Sequence, residues 1–372
     1  MNIQRKLCGA VAVLLLIATT GCIPGITWLP DSSGFVYIAG KDGQNLVHFD
    51  LAKKTQHTIV SDRRLQTVWP AVSPDGKSVA VARLNRDKDK GDTLQLLMYD
   101  LIGKSKKQSK DFPLPQAGKP GNANEQISTE LFWGPPENKI VVSISTSPPK
   151  VGIYDVKTDQ LKILKDASAI AFAGRPTRPD GKGFVVAKWR DKGCAGLSLV
   201  DWDGKERPIA VKPPIGNDNN KKDMLAWPFL FTSSWQGAKA VLSYSDARLE
   251  IDTDKLEGKF DSFGSGEPNG ENLVRQQFTF PGSQSVIRIV DWTKHVNSGE
   301  DHMSRLEMLD PRQKRTQMLM ENEKGKVLFP SPDGKLVAIR CVGDDKKPGD
   351  PQVVILVIDE TGQVLAKVKV QD

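Results

Sequence analysis

The thiol of Cys22 closes a short run of small residues, Ala18-Thr19-Thr20-Gly21, directly after the apolar stretch Leu7–Ala18. A sulfur in that setting suits covalent modification, because its thiolate is a strong nucleophile. Other reactive types are sparse. The four histidines are His48, His57, His295 and His302. His295 and His302 lie beside Glu300 and Asp301, all metal-ligating types. No third ligand has a fixed spacing to them, so they read as a solvated loop. Asp252 and Asp254 lack the Gly and Glu of a calcium loop and read as turn residues. There is no Gly-x-Ser-x-Gly elbow, no HExxH, no CxxC pair and no Gly-rich phosphate loop after a strand. The sequence therefore offers no catalytic, cofactor-binding or metal residue. Cys22 is the one site residue it names.

What must hold these residues is set by composition. With 372 residues, 26% charged and 38% hydrophobic, the chain is neither disordered nor a polytopic membrane protein. Four cysteines are too few for a disulfide-built scaffold. Cys194 and Cys341 flank strand-like runs and read as buried thiols, with a disulfide between them as the alternative. The formal charge is +7, and +5 without Arg5 and Lys6. The longest basic cluster, Lys104, Lys106, Lys107 and Lys110, reads as a solvated hairpin. No nucleic-acid partner is expected.

Arg5 and Lys6 form a positive start to the first segment. The apolar run that follows is 12 residues long, short of the roughly 20 that span a bilayer. It fits the core of an export signal. Residues 18–22 resemble a bacterial lipobox. That resemblance implies cleavage after Gly21 and a diacylglyceryl group on the Cys22 sulfur, usually with an N-acyl chain. Thr19 stands where the lipobox prefers Leu. The expected organisation is a signal peptide over 1–21, a lipid-anchored tether over 22–25, and one domain over 26–372. The expected location is the bacterial cell envelope, outside the cytoplasm and held at a membrane.

The domain is a repeat. Ser73-Pro74-Asp75-Gly76-Lys77 recurs as Ser331-Pro332-Asp333-Gly334-Lys335, with Arg178-Pro179-Asp180-Gly181-Lys182 as a variant. Weaker copies are Pro30–Gly34, Pro135–Lys139, Ser233–Gly237 and Pro281–Gln284. Pro presets φ, Asp suits the next turn position, and Gly takes the left-handed one. An aromatic residue such as Trp28, Trp69, Phe132 or Phe329 precedes each turn. A second signal is an apolar strand ending in Asp, at Asp50, Asp100, Asp155, Asp201, Asp252, Asp310 and Asp359. Successive spacings are 50, 55, 46, 51, 58 and 49 residues. Two hairpins per period give four strands per unit, and seven units fill the chain.

Four-stranded units at this period predict an all-β chain: a single β-propeller of four-stranded antiparallel blades, seven in number. The Ser-Pro-Asp-Gly-Lys turn and the later strand-Asp resemble the TolB-type, WD-repeat-like propeller family. That resemblance covers the whole mature chain. It implies the fold, and a family that includes envelope-assembly scaffolds and propellers that gate hydrolases.

The short uniform turns belong to one face of such a ring. Nearly every insertion belongs to the other: Asn85–Asp92, Gln116–Ser128, Pro213–Asp223, Ser262–Asn272, Asp291–Ser304 and Gly343–Pro351. Long loops on a rigid scaffold are the usual place for binding. These six together carry −5, which suits a neutral or cationic protein rather than a polyanion. Residues 23–25 reach roughly 10 Å, so the loop face is expected to point to the membrane. The expected function is a protein-binding scaffold for an envelope partner. The alternative is a metal-dependent, lactonase- or hydrolase-like enzyme with its site at the tunnel mouth.

Overall fold

The computed structural model describes residues 25–40, 43–87, 91–114, 127–136, 138–146, 149–165, 167, 169–170, 177–178, 180–190, 193–212, 231–244, 247–262, 273–296, 299–310, 312, 315–323, 326–342 and 353–370. No helix occurs among them. The strands follow one another as antiparallel meanders. The first sheet is β1 (Ile26–Trp28), β2 (Gly34–Ala39), β3 (Asn45–Asp50) and β4 (Thr55–Ser61). Next come β5 (Thr67–Trp69), β6 (Ala71–Val72), β7 (Ser78–Asn85), β8 (Thr93–Asp100), β9 (Ser105–Gln108) and β10 (Phe112–Pro113). The third group is β11 (Thr129–Trp133), β12 (Lys139–Ile144), β13 (Lys150–Asp155) and β14 (Gln160–Ile163). Then follow β15 (Ala169–Ile170), β16 (Phe184–Arg190), β17 (Gly193–Val200) and β18 (Glu206–Lys212). After them come β19 (Phe231–Gln236), β20 (Lys239–Tyr244), β21 (Ala247–Asp252) and β22 (Glu257–Ser262). The last eight are β23 (Leu273–Thr279), β24 (Val286–Val296), β25 (Gly299–Asp310), β26 (Arg315–Glu323), β27 (Val327–Pro330), β28 (Leu336–Val342), β29 (Val353–Asp359) and β30 (Val364–Lys369).

Hydrogen bonding groups these strands into six sheets of a propeller, where seven separate blades were expected. The difference is one of edges. β18 pairs in parallel with β22, Val211 opposite Gly258, and this fuses two four-stranded meanders into one eight-stranded sheet. β5 pairs in parallel with β11 while Gln66 and Thr67 still hydrogen-bond Ala82 of β7. One weak turn copy also moves. Ser233–Gln236 are strand, and Gln236 pairs with Lys239 across a turn at Gly237 and Ala238.

The first strands converge on a centre. Trp28, Trp69, Phe132, Phe184 and Phe329 share one apolar cluster yet come from four sheets. The Trp69 ring lies 6.2 Å from Phe132 and 6.1 Å from Phe329. Gly25 sits against the Trp69 indole so closely that a Cβ there would fall inside the ring. Other clusters seat neighbouring sheets on each other: Leu29, Val36 and Leu46 against Val72 and Val79, for example, or Ile287 and Leu306 against Leu356 and Ile358.

The repeated turns fold as their residues dictate. Ser73 Oγ donates to Asp75 Oδ1 at 2.5 Å, and the Lys77 amide donates to the same oxygen at 3.0 Å. Ser331 and Asp333 repeat this at 2.6 Å, with Lys335 at 3.1 Å. In the variant, Arg178 replaces Ser and clasps Asp180 through Nε at 2.9 Å and Nη2 at 2.6 Å. Its Nη2 also reaches Asp254 at 2.9 Å. Gly76, Gly181 and Gly334 hold φ of 70°, 72° and 71°, the left-handed region where glycine is least strained. They lie against Pro30, Pro135 and Pro281 of the preceding turn, so on this face neighbouring turns interlock at three places. All seven strand-end aspartates accept backbone amides of the turns they open. The amides belong to Lys53, Ile102, Lys157, Asp203, Asp254, Arg312 and Thr361. The Lys104–Lys110 stretch is the exposed β9 hairpin, as expected.

These turn carboxylates set the acid limit of stability. Hydrogen bonds hold Asp31, Asp50, Asp75, Asp155 and Asp180 below the usual carboxylate range; for Asp155 the first cause is the Lys139 ammonium. A depressed folded pKa stabilises the fold above the unfolded value of 3.8 and loses that contribution as pH falls through the folded value. Urea unfolding should therefore show stability dropping steeply below about pH 4. An acid limb that begins near pH 6 instead would contradict this assignment.

Candidate functional site

The antiparallel meander puts the β1–β2 and β3–β4 types of turn on one side of the ring and the longer connections on the other. Most of the insertions expected to carry binding fall at 88–90, 115–126, 213–230, 263–272 and 343–352, outside the described residues. So does Cys22. The exception is Asp291–Ser304. It is not a loop. β24 and β25 continue through it as a regular antiparallel ribbon, Asp291 opposite Ser304 and Val296 opposite Gly299. β23 stops pairing at Asp291, and β26 stops at Met303. Among the described residues, the last four rows, Thr293–His302 to Val296–Gly299, pair only with each other. At about 3.3 Å per residue they project roughly 13 Å past the sheet.

Near the centre, Glu130 is the unexpected group. It sits on β11 between Thr129 and Leu131, which are buried, and alternation puts it on the Phe132 face. No hydrogen bond or ion pair to another described residue offsets its burial, which pushes the carboxyl up to about 7. The residue keeps partial exposure. A carboxyl poised near neutrality can hold or release a proton at cellular pH, which suits a proton-transfer role or recognition of a cation.

A second polar region lies where the first and last sheets meet. Tyr37, Ala39, Asn45, Val47, Gln56, His57 and Thr58 line a cavity of about 140 Å³. That is below the size of ordinary small-molecule pockets. Tyr37 donates to Gln56 Oε1 at 2.6 Å, and burial pushes its phenol up to about 12. Burial likewise pulls the Arg340 guanidinium down to about 10, while its Nη1 donates to the Ile38 carbonyl at 3.2 Å. His48 and His57 face each other across β3 and β4, with ring centroids 5.1 Å apart. Burial first, and the charge of His57 second, hold the His48 imidazole below its usual range.

The structure brings together few of the residues singled out in the sequence. Asp252 and Asp254 are turn residues, as read: Asp252 accepts the amides of Asp254 and Lys255, and Asp254 meets Arg178. Cys341 is buried, and the side chain of Cys194 is not described. His295 and His302 lie on paired strands rather than in a loop. Among the residues whose side chains are described, no three His, Cys, Asp or Glu gather as a metal site. Glu130 was missed because β11 reads as one more strand. Its apolar surroundings are the only signal, and these come from distant segments.

No family model matches the sequence, and no curated protein does. Among solved structures, the chain is similar to one in the crystal structure of a mitotic checkpoint complex. The TM-score is 0.51 at 12% identity, over 94% of this chain and 88% of that one. The crystal structure of RRP9 WD40 repeats gives 0.47 at 13% identity, over 93% of each chain. A putative 6-phosphogluconolactonase from Bacteroides fragilis gives 0.49 at 10% identity, over 91% and 96%. At such identities the first likeness speaks for the overall fold alone.

Replacing Glu130 by Gln isolates its contribution. A folded pKa raised from 4.5 to about 7 gives stability that is full below 4.5 and lost as pH rises through 7. The variant should match wild type near pH 4.5 and exceed it at pH 8, by roughly 1–3 kcal/mol. Parallel stability curves across this range would show that Glu130 titrates like an ordinary exposed carboxylate.

Proposed function

We propose that the chain is a lipid-anchored propeller of the bacterial cell envelope that binds a protein partner through its long-connection face. The projecting β24–β25 ribbon carries this reading. Among the described residues no strand pairs its outer edges beyond Asp291 and Met303, and such edges offer backbone amides and carbonyls that another chain can pair with. A ring seated by packed clusters gives the ribbon a rigid base. The acidic insertions favour a neutral or cationic partner over nucleic acid. The basic start, the short apolar run and the lipobox-like Ala18–Cys22 support export and lipidation at Cys22. Multiple acyl chains make such anchoring stable. With the eight-stranded sheet counted as two blades, the ring has seven, in the manner of the TolB-type propellers it resembles.

A second reading has an observation of its own. Glu130, near neutrality beside the converging strands, suits an enzyme of the hydrolase or lactonase kind with its site at the tunnel mouth.

The two readings separate in cells. Membrane-fraction protein should carry acyl mass on Cys22, and in-cell crosslinking should capture a discrete partner. Replacing 293–302 by a two-residue turn should remove that partner while the acylated protein stays folded at the membrane. An unmodified Cys22 would overturn the anchor. A partner captured equally well without the ribbon would overturn the binding face.

A further inference from the structure

The point at which the chain enters the ring is fixed. The Gly25 amide donates to the Val68 carbonyl at 2.8 Å, and Gly25 itself lies against the Trp69 indole. Thr27 Oγ1 donates to the Pro70 carbonyl at 2.6 Å. Ile26 stands opposite Tyr37, towards the end of β2 that leads into the β2–β3 connection. Gly25 therefore opens β1 on the long-connection side. Cys22 lies outside the described residues, but the three residues from it to Gly25 reach at most about 10 Å. Acyl chains on Cys22 would hold this point of the ring that close to the membrane.

The ribbon leaves the ring on the same side. The Asp333 amide donates to Ser32 Oγ at 3.4 Å, and Gly334 lies against Pro281. The β1–β2, β23–β24 and β27–β28 turns are thereby neighbours, so their sheets are oriented alike. The far ends of those sheets hold Gly25 and the β24–β25 connection. Their heights can be compared through equivalent turn bonds. The Leu29 amide closes its turn on the Gly34 carbonyl, and the Phe280 amide closes its own on the Ser285 carbonyl. Continuing the β1–β2 register puts Gly25 opposite Ile38, as far past Gly34 as Ile289 is past Ser285. From Ile289 to Val296 the strand runs on for roughly 23 Å at about 3.3 Å per residue. A twist of about 20–25° between adjacent strands shortens this little.

We propose that the ribbon reaches the headgroup layer of the membrane that holds Cys22, and that its partner is a protein embedded in that membrane with a strand edge at the surface. This rests on the anchored reading above and names the partner's place. The ribbon outreaches the tether by roughly 10 Å, so a ring held at Gly25 brings the ribbon to the lipid surface. A tether of that reach leaves no gap for a folded soluble domain, whose diameter is about 30 Å. Residues 293–302 hold Lys294, Glu300 and Asp301, and Val296 is their one large apolar residue. Such a segment stays in the polar layer and out of the hydrocarbon core. Its net negative charge does not draw it to anionic lipid. What it brings is backbone: among the described residues no other strand pairs with it past Asp291 and Met303. A strand edge of a membrane-embedded protein supplies the matching amides and carbonyls.

A depth measurement on the full acylated chain tests this. The chain is purified from membranes and reconstituted in phosphatidylcholine vesicles whose headgroups carry a spin label. A fluorescent non-natural residue replaces Val296 or, as the control, Ile102, which is 82% exposed on the short-turn side. Headgroup quenching at position 296 should exceed that at 102 at least threefold. A flexible insert of about 20 Gly and Ser residues after Pro24, with a mean span of about 25 Å, should relieve most of that quenching and leave the acyl mass unchanged. In cells, a photocrosslinker at position 296 should capture a protein that by itself resists alkaline carbonate extraction. Equal quenching at the two positions on an acylated chain would overturn this inference and leave the anchor standing. Quenching at 296 that survives the insert, or capture only of a protein that carbonate releases, would overturn it too. A Cys22 without acyl mass would remove the anchored reading and this inference with it.

Discussion

Trp28 Nε1 donates a hydrogen bond to the Phe329 carbonyl at 2.8 Å, buried and across 301 residues of chain. The rest of the ring depends on that meeting of ends. β1–β4 and β27–β30 are each built from contiguous sequence, and among the described residues no strand is exchanged between the two sheets. Closure rests on side-chain packing and a few long-range bonds. Arg340 reaches the Ile38 carbonyl, Gln56 reaches the Lys369 carbonyl at 3.5 Å, and the Asp333 amide reaches Ser32 Oγ at 3.4 Å. The shared apolar cluster stabilises the closure more than these bonds do, because Phe35, Tyr37 and Val47 bury themselves against Ala338, Ile355 and Val357.

The two sides of the ring have different chemistry for that reason. On one side the turns are short, and Gly and Pro of neighbouring turns interlock. On the other side the connections lengthen, and β24 and β25 run on beyond their neighbours. Glu130 belongs to neither side. It lies among the converging strands, where burial without a cationic partner among the described residues makes a carboxyl hold its proton near neutral pH.

Local chemistry was the legible part of the sequence. Each strand-end Asp became the acceptor of its own turn because Asp side chains bond amides two or three residues on. That preference needs no tertiary context. The two Ser-Pro-Asp-Gly-Lys turns are nearly superimposable in their hydrogen bonds for the same reason. What escaped the sequence required knowledge of neighbours. The β18–β22 pairing joins segments about 50 residues apart and reduces the sheets to six. Asp291–Ser304 reads as a polar loop because its alternation mixes His, Asp and Glu with Trp and Val. Register alone turns it into a ribbon. The His48–His57 pair likewise follows from the register of the β3–β4 hairpin, and the raised Glu130 pKa from which face of β11 is buried.

Hydrogen–deuterium exchange of the intact chain tests the closed ring most directly. If the first and last sheets seal each other, amides of β2, β3, β28 and β29 should exchange as slowly as those of β12 and β16, and through the same cooperative opening. Early exchange confined to β1–β4 and β27–β30 would mean that the ring stands open at its ends. The account of a rigid base for the ribbon would then fail.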